Sequence, residues 1–295
     1  MKKILVLGIS SLIAISMLLA CGDNNGGSGT NSDGSISLKF NFQKGTKYKY
    51  IVKNRQSITQ EMMGKHITVD QDMDMESTYE VTGAEGSNKK LTVTYDRIAM
   101  KSNNSFKNMA YDSDDTAHSA PELRSLGDMV HRAFSMTVNE KGQIVQLDGF
   151  RELMPGSDDA PISDSSLRSM MQQAFYIYPD KPVKPGDTWN NSYSTSLGFM
   201  DLNTDNTYKL VSVKDGIAHI EMSSKITSHP ANTGEAKEIK MDLNGVQTGG
   251  LDVDVASGLL IGSVLSQQIK GTFDFRDTKA PVEVTSDINV SGTKM

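Results

Sequence analysis

Between His66 and Val81 the chain alternates almost without a break. Odd positions carry Ile67, Val69, Gln71, Met73, Met75, Ser77, Tyr79 and Val81, and even positions carry His66, Thr68, Asp70, Asp72, Asp74, Glu76, Thr78 and Glu80. A period of two places the first set on one face of a strand and the second on the other. The segment is therefore expected to be a long antiparallel strand with one buried and one wet face. Upstream, Tyr48, Tyr50, Val52, Ile58 and Met62 occupy even positions. A two-residue turn at Met63-Gly64 or Gly64-Lys65 would bring that set onto the same face as the odd set that follows.

The same pattern recurs. After a polar loop, Gly83 to Asn88, the residues Leu91, Val93 and Tyr95 resume it. Phe134 to Val138 and Gln143 to Leu147 flank Asn139-Glu140-Lys141-Gly142, and Leu251 to Val255 and Leu259 to Val264 flank Ala256-Ser257-Gly258. Asn206 to Ile226 folds back at Asp215-Gly216, a strong hairpin signal between alternating runs. Helix is expected only over Asp164 to Tyr176, where Leu167, Met170, Met171, Ala174 and Phe175 share one face and Pro179, Pro182 and Pro185 end it. A shorter helical turn is predicted over Pro121 to Met129, and Ala110 to Ala120 reads as a loop.

An internal repeat is legible. Lys44-Gly45-Thr46-Lys47-Tyr48 resembles Pro185-Gly186-Asp187-Thr188-Trp189, and Ser77 to Val81 resembles Asn206 to Leu210. The strands ending at Arg97-Ile98 and Lys225-Ile226 follow, and the two later strand pairs match as a third element. These patterns predict a mainly β protein, two similar antiparallel β units forming a curved sheet or partial barrel packed on one amphipathic helix. The units are placed at 36–150 and 185–295, joined by a helical connector at 151–184.

The amino terminus has a different character. Lys2 and Lys3 precede a 17-residue uncharged, mostly apolar run from Ile4 to Ala20, and Leu18-Leu19-Ala20 leads directly into Cys21, the chain's single cysteine. The arrangement resembles the lipobox of a bacterial lipoprotein signal peptide, which implies cleavage after residue 20 and a lipid on Cys21. An uncleaved transmembrane span would want ~20 apolar residues and flanking charge. Residues 21–35, Gly- and Asn-rich and devoid of apolar side chains after the cysteine, read as a flexible tether with ~20 Å of reach. Loss of Lys2 and Lys3 takes the formal charge from −6 to −8. A mildly acidic body without a basic cluster argues against nucleic acid and against electrostatic membrane binding.

Candidate chemistry is sparse. His66 with Met62, Met63, Met73 and Met75 carries soft-metal donors, but strand geometry puts His66 on the opposite face from Met73 and Met75, so no metal site is assigned. Asp70, Asp72 and Asp74 match the opening of a calcium loop, yet Met75 stands at the glycine position and Val81 at the bidentate glutamate position. The acidic stripe reads instead as a solvated or edge-protecting face. There is no Gly-x-Ser-x-Gly elbow, His-Glu-x-x-His pair or phosphate loop, and the histidines at 66, 118, 131, 219 and 229 are scattered. Asp114-Asp115 and Asp158-Asp159 fall in loops. Trp189 and the tyrosines at 48, 50, 79, 95 and 208 read as core anchors. No catalytic residue and no cofactor is assigned.

Gly45-Thr46-Lys47-Tyr48, Gln60-Glu61-Met62-Met63-Gly64, Thr92 to Ile98 and above all Pro182-Val183-Lys184-Pro185-Gly186-Asp187-Thr188-Trp189 resemble domain-of-unknown-function family 6263 over most of residues 38–275. That resemblance implies an envelope lipoprotein, chiefly of Bacteroidota-type bacteria, and brings no activity or site residue with it. The expectation is a noncatalytic binding or carrier module, anchored by lipid in the cell envelope at the outer membrane, for an apolar or amphipathic small molecule. Met73, Met75, Leu167, Met170, Met171 and Phe175 are the candidate ligand-lining residues. A structural or protein-interaction lipoprotein is the alternative, and a hydrolase with an unrecognised site the third.

Overall fold

The computed structural model describes residues 31–62, 65–153, 164–172, 175–196, 200–230, 239–275 and 278–295. Cys21 and the leader, the Met63-Gly64 turn, Asp158-Asp159 and Ala174 lie outside the described residues. The first half holds β1 (Lys47–Met62), β2 (Lys65–Glu85), β3 (Asn88–Asn104), β4 (Asn108–Asp112), β5 (Ala133–Val138) and β6 (Ile144–Asp148). A helix, α1 (Asp164–Gln172), leads to the second half. There follow β7 (Thr188–Ser196), β8 (Met200–Lys214), β9 (Ile217–Pro230), β10 (Ile239–Asp254), β11 (Leu259–Phe275) and β12 (Thr278–Lys294). All twelve strands join one antiparallel sheet, ordered β6-β5-β3-β2-β1-β12-β11-β10-β9-β8-β7. β4 pairs with the half of β3 that β5 leaves uncovered.

The sheet is curled but not closed. Laid flat, eleven strands at ~4.8 Å would separate β6 from β7 by ~48 Å, whereas α1, nine residues long, spans ~13 Å. Yet α1 packs on both β6 and β7, so the edges must have come round to face each other across the helix. Leu167, Met170 and Met171 are the buried face of α1, as their spacing predicted. The same curl buries the central strands, since among the described residues no second layer covers Ile58, Val284 and Ile288.

Residues on the predicted faces sit where the alternation put them. Tyr48, Tyr50, Val52 and Ile58 share the inner face with Ile67, Val69, Met75, Tyr79 and Val81 through the β1–β2 register, which runs from Lys47↔Glu80 to Met62↔Lys65. The Asp215-Gly216 turn has φ of 52° and 79°, the two positive angles of a type I′ hairpin.

The repeat reappears in backbone hydrogen bonds. Gly45 N donates to Val81 O at 2.8 Å and Val81 N to Thr46 O at 3.0 Å; in the second half Gly186 N donates to Leu210 O at 2.7 Å and Leu210 N to Asp187 O at 3.0 Å. A register shift follows both pairs, at Val81/Gly83 and at Leu210/Ser212. Aromatic partners repeat too: Tyr48 opposes Tyr79, and Trp189 stacks on Tyr208 with centroids 5.5 Å apart.

Several expectations need correction. Ala110 to Ala120 is not all loop, because Asn108–Asp112 pairs with β3 and residues 116–118 form a 3-10 turn. The helical turn expected over Pro121–Met129 is present, as a 3-10 helix, whereas the helix expected to run to Tyr176 is described over Asp164–Gln172, with Phe175 and Tyr176 outside it. Gly83 to Asn88 is no six-residue loop either, since β2 and β3 remain paired as far as Glu85↔Asn88. β10 begins twelve residues ahead of Leu251: Met241 and Leu243 alternate with Asp242 and Asn244, and the strand continues through Gly245, Gly249 and Gly250, where β9 and β11 pair with it on both sides. The acidic stripe of β2 protects no edge, for β2 lies between β1 and β3.

One end of the curled sheet is sealed by a segment that the sequence patterns did not single out. Ile36, Leu38, Phe40 and Phe42 alternate inward, all at 2 % exposure or less. Ile36 and Val183 exchange two backbone hydrogen bonds, Phe40 N donates to Glu140 O at 2.9 Å, and Asn41 N donates to Ser257 O at 2.8 Å. The segment thus ties the 139–142 turn of the first half to the 256–258 turn of the second. Phe40 packs tilted against Phe42 and edge-on against Phe175, and Phe42 packs tilted against Tyr48, which gives this end an aromatic cluster.

Candidate functional site: the inner face of the curled sheet

At one level the inner face changes character. Following the register from strand to strand, Ser102 opposes Gln71, Gln71 opposes Gln56, and Gln56 opposes Ser286. The row continues through Gln267, Gln247, Ser224 and Asn206 to Asn191. Nine successive strands therefore place a polar, uncharged side chain at the same height. Apolar residues lie on either side: Val69, Ile58, Val284 and Ile269 in one neighbouring row, Ile288, Leu265 and Met222 in the other.

The row is not uniform in its bonding. Towards the seam its members satisfy one another: Ser224 Oγ donates to Asn206 Oδ1 at 2.5 Å, Asn206 Nδ2 to Asn191 Oδ1 at 2.8 Å, and Asn191 Nδ2 to Tyr176 O in the connector. Tyr193, bonded to Thr204 and Asn206, is pushed up to about 12 by burial and stays a neutral phenol. Trp189 Nε1 donates to Ile177 O at 2.9 Å, fastening the connector to β7.

Around β1, β12 and β11 the bonding is incomplete. Gln56 Nε2 donates to Ser286 Oγ at 3.2 Å, but Gln56 Oε1, Asn54 Oδ1, Gln267 Oε1 and Ser263 Oγ have no hydrogen-bond partner among the described residues. All four side chains are 91 % buried or more. An amide oxygen in that state forfeits its hydration without return, at about 1–3 kcal/mol each. Native structures resolve such groups with water or a bound molecule. The patch covers about 10 Å across the strands and about 13 Å along them.

Of the residues expected to line a ligand site, Met75 is buried and Met73 half-buried on the inner face of β2, beside Asn54 and Val52. Leu167, Met170 and Met171 are buried on α1, which packs on β6 and β7 rather than on β2, and Phe175 is buried against Phe40 at the sealed end. The belt residues were missed. Their trace in the sequence is the break that Asn54, Gln56 and Gln60 make in the even apolar series of β1, matched by Gln71 in β2.

The outer face carries paired charges. Arg97 Nε and Nη2 donate to Asp112 Oδ1 and Oδ2 at 3.1 and 2.6 Å, and Lys49 meets Glu76 at 2.6 Å. The guanidinium holds the Asp112 carboxyl below the usual carboxylate range. A pocket of about 310 Å³ beside them is edged by Arg55, Asp72 and His118, but Arg55 pairs with Asp72 and His118 with Asp115. A second, of about 340 Å³, is a groove floored by Gly250 and Gly262. His66 is exposed, and His219 Nδ1 lies 2.6 Å from Asp252 Oδ1. Among the described residues no cluster of three or more His, Cys, Asp or Glu is placed to hold a metal ion, and no helix is long and apolar enough to cross a membrane.

Among solved structures the chain is similar to DynF from the dynemicin biosynthesis pathway of Micromonospora chersina, at 8 % identity over 94 % of each chain with a TM-score of 0.22. It is similar to OccK11 of Pseudomonas aeruginosa at 6 % identity, covering 86 % of this chain and 100 % of that one, TM-score 0.25. An outer membrane channel of Pseudomonas putida F1 aligns at 5 % identity over 92 % and 100 %, TM-score 0.21. Superpositions at that level carry no functional weight. No curated protein matches the chain. The model of a family of unknown function, DUF6263, matches residues 86–162 and 159–260, more than half of the sequence, and the chain belongs to that family.

Proposed function

We propose that this protein is a noncatalytic binding or carrier module whose curled sheet takes an amphipathic small molecule against its inner face, and that a lipid on Cys21 holds it at the cell envelope. The observation that carries the reading is the polar row between largely apolar rows, with the buried oxygens of Gln56 and Gln267 left open in the row itself and those of Asn54 and Ser263 left open beside it on β1 and β11. A filled structural core has no use for such groups, because each unpaired one is destabilising and apolar residues of equal volume would pack better. The anchor rests on Leu18-Leu19-Ala20-Cys21. Several acyl chains on one cysteine would make attachment effectively permanent, and the tether would leave the sheet close to the membrane where amphipathic molecules are abundant.

The test is mass spectrometry of small molecules extracted from the full-length protein purified under gentle conditions. One amphipathic species at near one-to-one stoichiometry, displaced by saturating fluorescent amphipath, is the expected result. Absence of any co-purifying molecule together with absence of saturable uptake removes the carrier reading and leaves the protein-interaction alternative.

A further inference from the structure

We infer that the molecule accepted by the inner face carries an uncharged head that donates hydrogen bonds, a hydroxyl or an amide N–H, rather than an ionised head or one that only accepts. This rests on the carrier reading and narrows it to a ligand class.

Two independent features point the same way. The first is polarity of the open atoms. Gln56 Nε2 donates to Ser286 Oγ, and the buried atom it leaves without a partner is the carbonyl oxygen. Asn54 Oδ1 and Gln267 Oε1 are also buried without a partner among the described residues, and Ser263 adds a hydroxyl. Three of the four open atoms are pure acceptors, and a partner for an acceptor must donate. The second feature is charge. Among the described residues no Asp, Glu, Lys or Arg is buried, so a desolvated phosphate, carboxylate or ammonium would meet no counter-charge. The side chains flanking the belt, Ile58, Val284 and Ile269 in one row and Ile288 and Leu265 in the other, are apolar and suit hydrocarbon on both sides of such a head.

Three probes separate the alternatives: decanol, methyl decanoate and decanoate, each tagged with pyrene at the tail end and differing only in the head. Binding to the full-length lipidated protein in maltoside micelles, referenced to protein-free micelles, is read by energy transfer from Trp189, the chain's single tryptophan, which lies in the same inner row as Asn54. The alcohol is expected to bind about tenfold tighter than the ester and the carboxylate. Combining Gln56→Leu with Gln267→Leu should weaken alcohol binding about tenfold, to the level that the ester shows on the wild-type protein. Should that double variant not fold, the order of the three heads on the wild-type protein still decides. Equal binding of alcohol and ester, or tightest binding of the carboxylate, overturns the donor inference and leaves a carrier of different selectivity, with water on the open oxygens. Failure of all three probes to saturate overturns the carrier reading itself.

Discussion

The side-chain amide of Gln56 donates from Nε2 to Ser286 Oγ at 3.2 Å, a bond between residues 230 positions apart on the first and last strands of the sheet. β1 and β12 are where the two halves of the chain meet, so this buried contact lies at the join between the repeats. It leaves the buried Oε1 of Gln56 without a partner among the described residues.

The face assignment of β2 predicts opposite outcomes for adjacent positions. Met75 is 3 % exposed, and Met75→Asp should cost several kcal/mol by burying a charge with no partner. Asp74 points to the outer side, and Asp74→Ser should stay within about half a kcal/mol. Urea unfolding of the two variants beside wild type measures both.

Two glycines at turns should respond unequally to alanine. Gly186 has φ of 98° and open space where an added methyl would stand, so Gly186→Ala should cost about 1 kcal/mol from the backbone alone. At Gly258, φ is 78° and a Cβ would fall 1.6 Å from Lys39 O. Gly258→Ala should therefore cost roughly 3 kcal/mol or more and should speed hydrogen exchange at the amides of Phe40 and Asn41, which the 36–42 segment bonds across the sealed end.

Arg97 and Asp112 make stability depend on acid. Because the guanidinium lowers the Asp112 pKa in the folded state, the pair stabilises above the unfolded carboxylate pKa of about 3.9, and that contribution disappears as pH falls through the folded value. Asp112→Asn should lower stability at pH 7, by about 1 kcal/mol since the pair is partly exposed, and should converge with wild type near pH 2. Urea midpoints taken between pH 2 and pH 7 give the comparison.

The proposed lipid anchor rests on one atom, the sulfur of Cys21. Cys21→Ser should abolish incorporation of a clickable fatty acid and leave the precursor unprocessed, as read by in-gel fluorescence and intact mass; equal labelling of the variant and wild type would remove the anchor.

Much of the secondary structure was determined locally. Alternation in Ile67 to Val81, the Asp215-Gly216 turn and the amphipathic spacing of Leu167, Met170 and Met171 each specify an element within a few residues of chain, because period, turn angles and one buried face are properties of neighbours. The repeated Gly45 and Gly186 turns were legible for the same reason. Tertiary structure alone decided the rest. The middle of β10 is held as a strand because β9 and β11 flank it, although Gly245, Gly249 and Gly250 interrupt the alternation there. Residues 36–42 seal one end only because two distant turns accept their amides. Gln56, Gln71, Gln267 and Asn206 read one at a time as lapses in apolar faces; the registers of successive hairpins bring them level, and burial by the curl turns those lapses into a belt. Register between distant strands and closure of a sheet on itself are long-range quantities, and no single stretch of this sequence contains them.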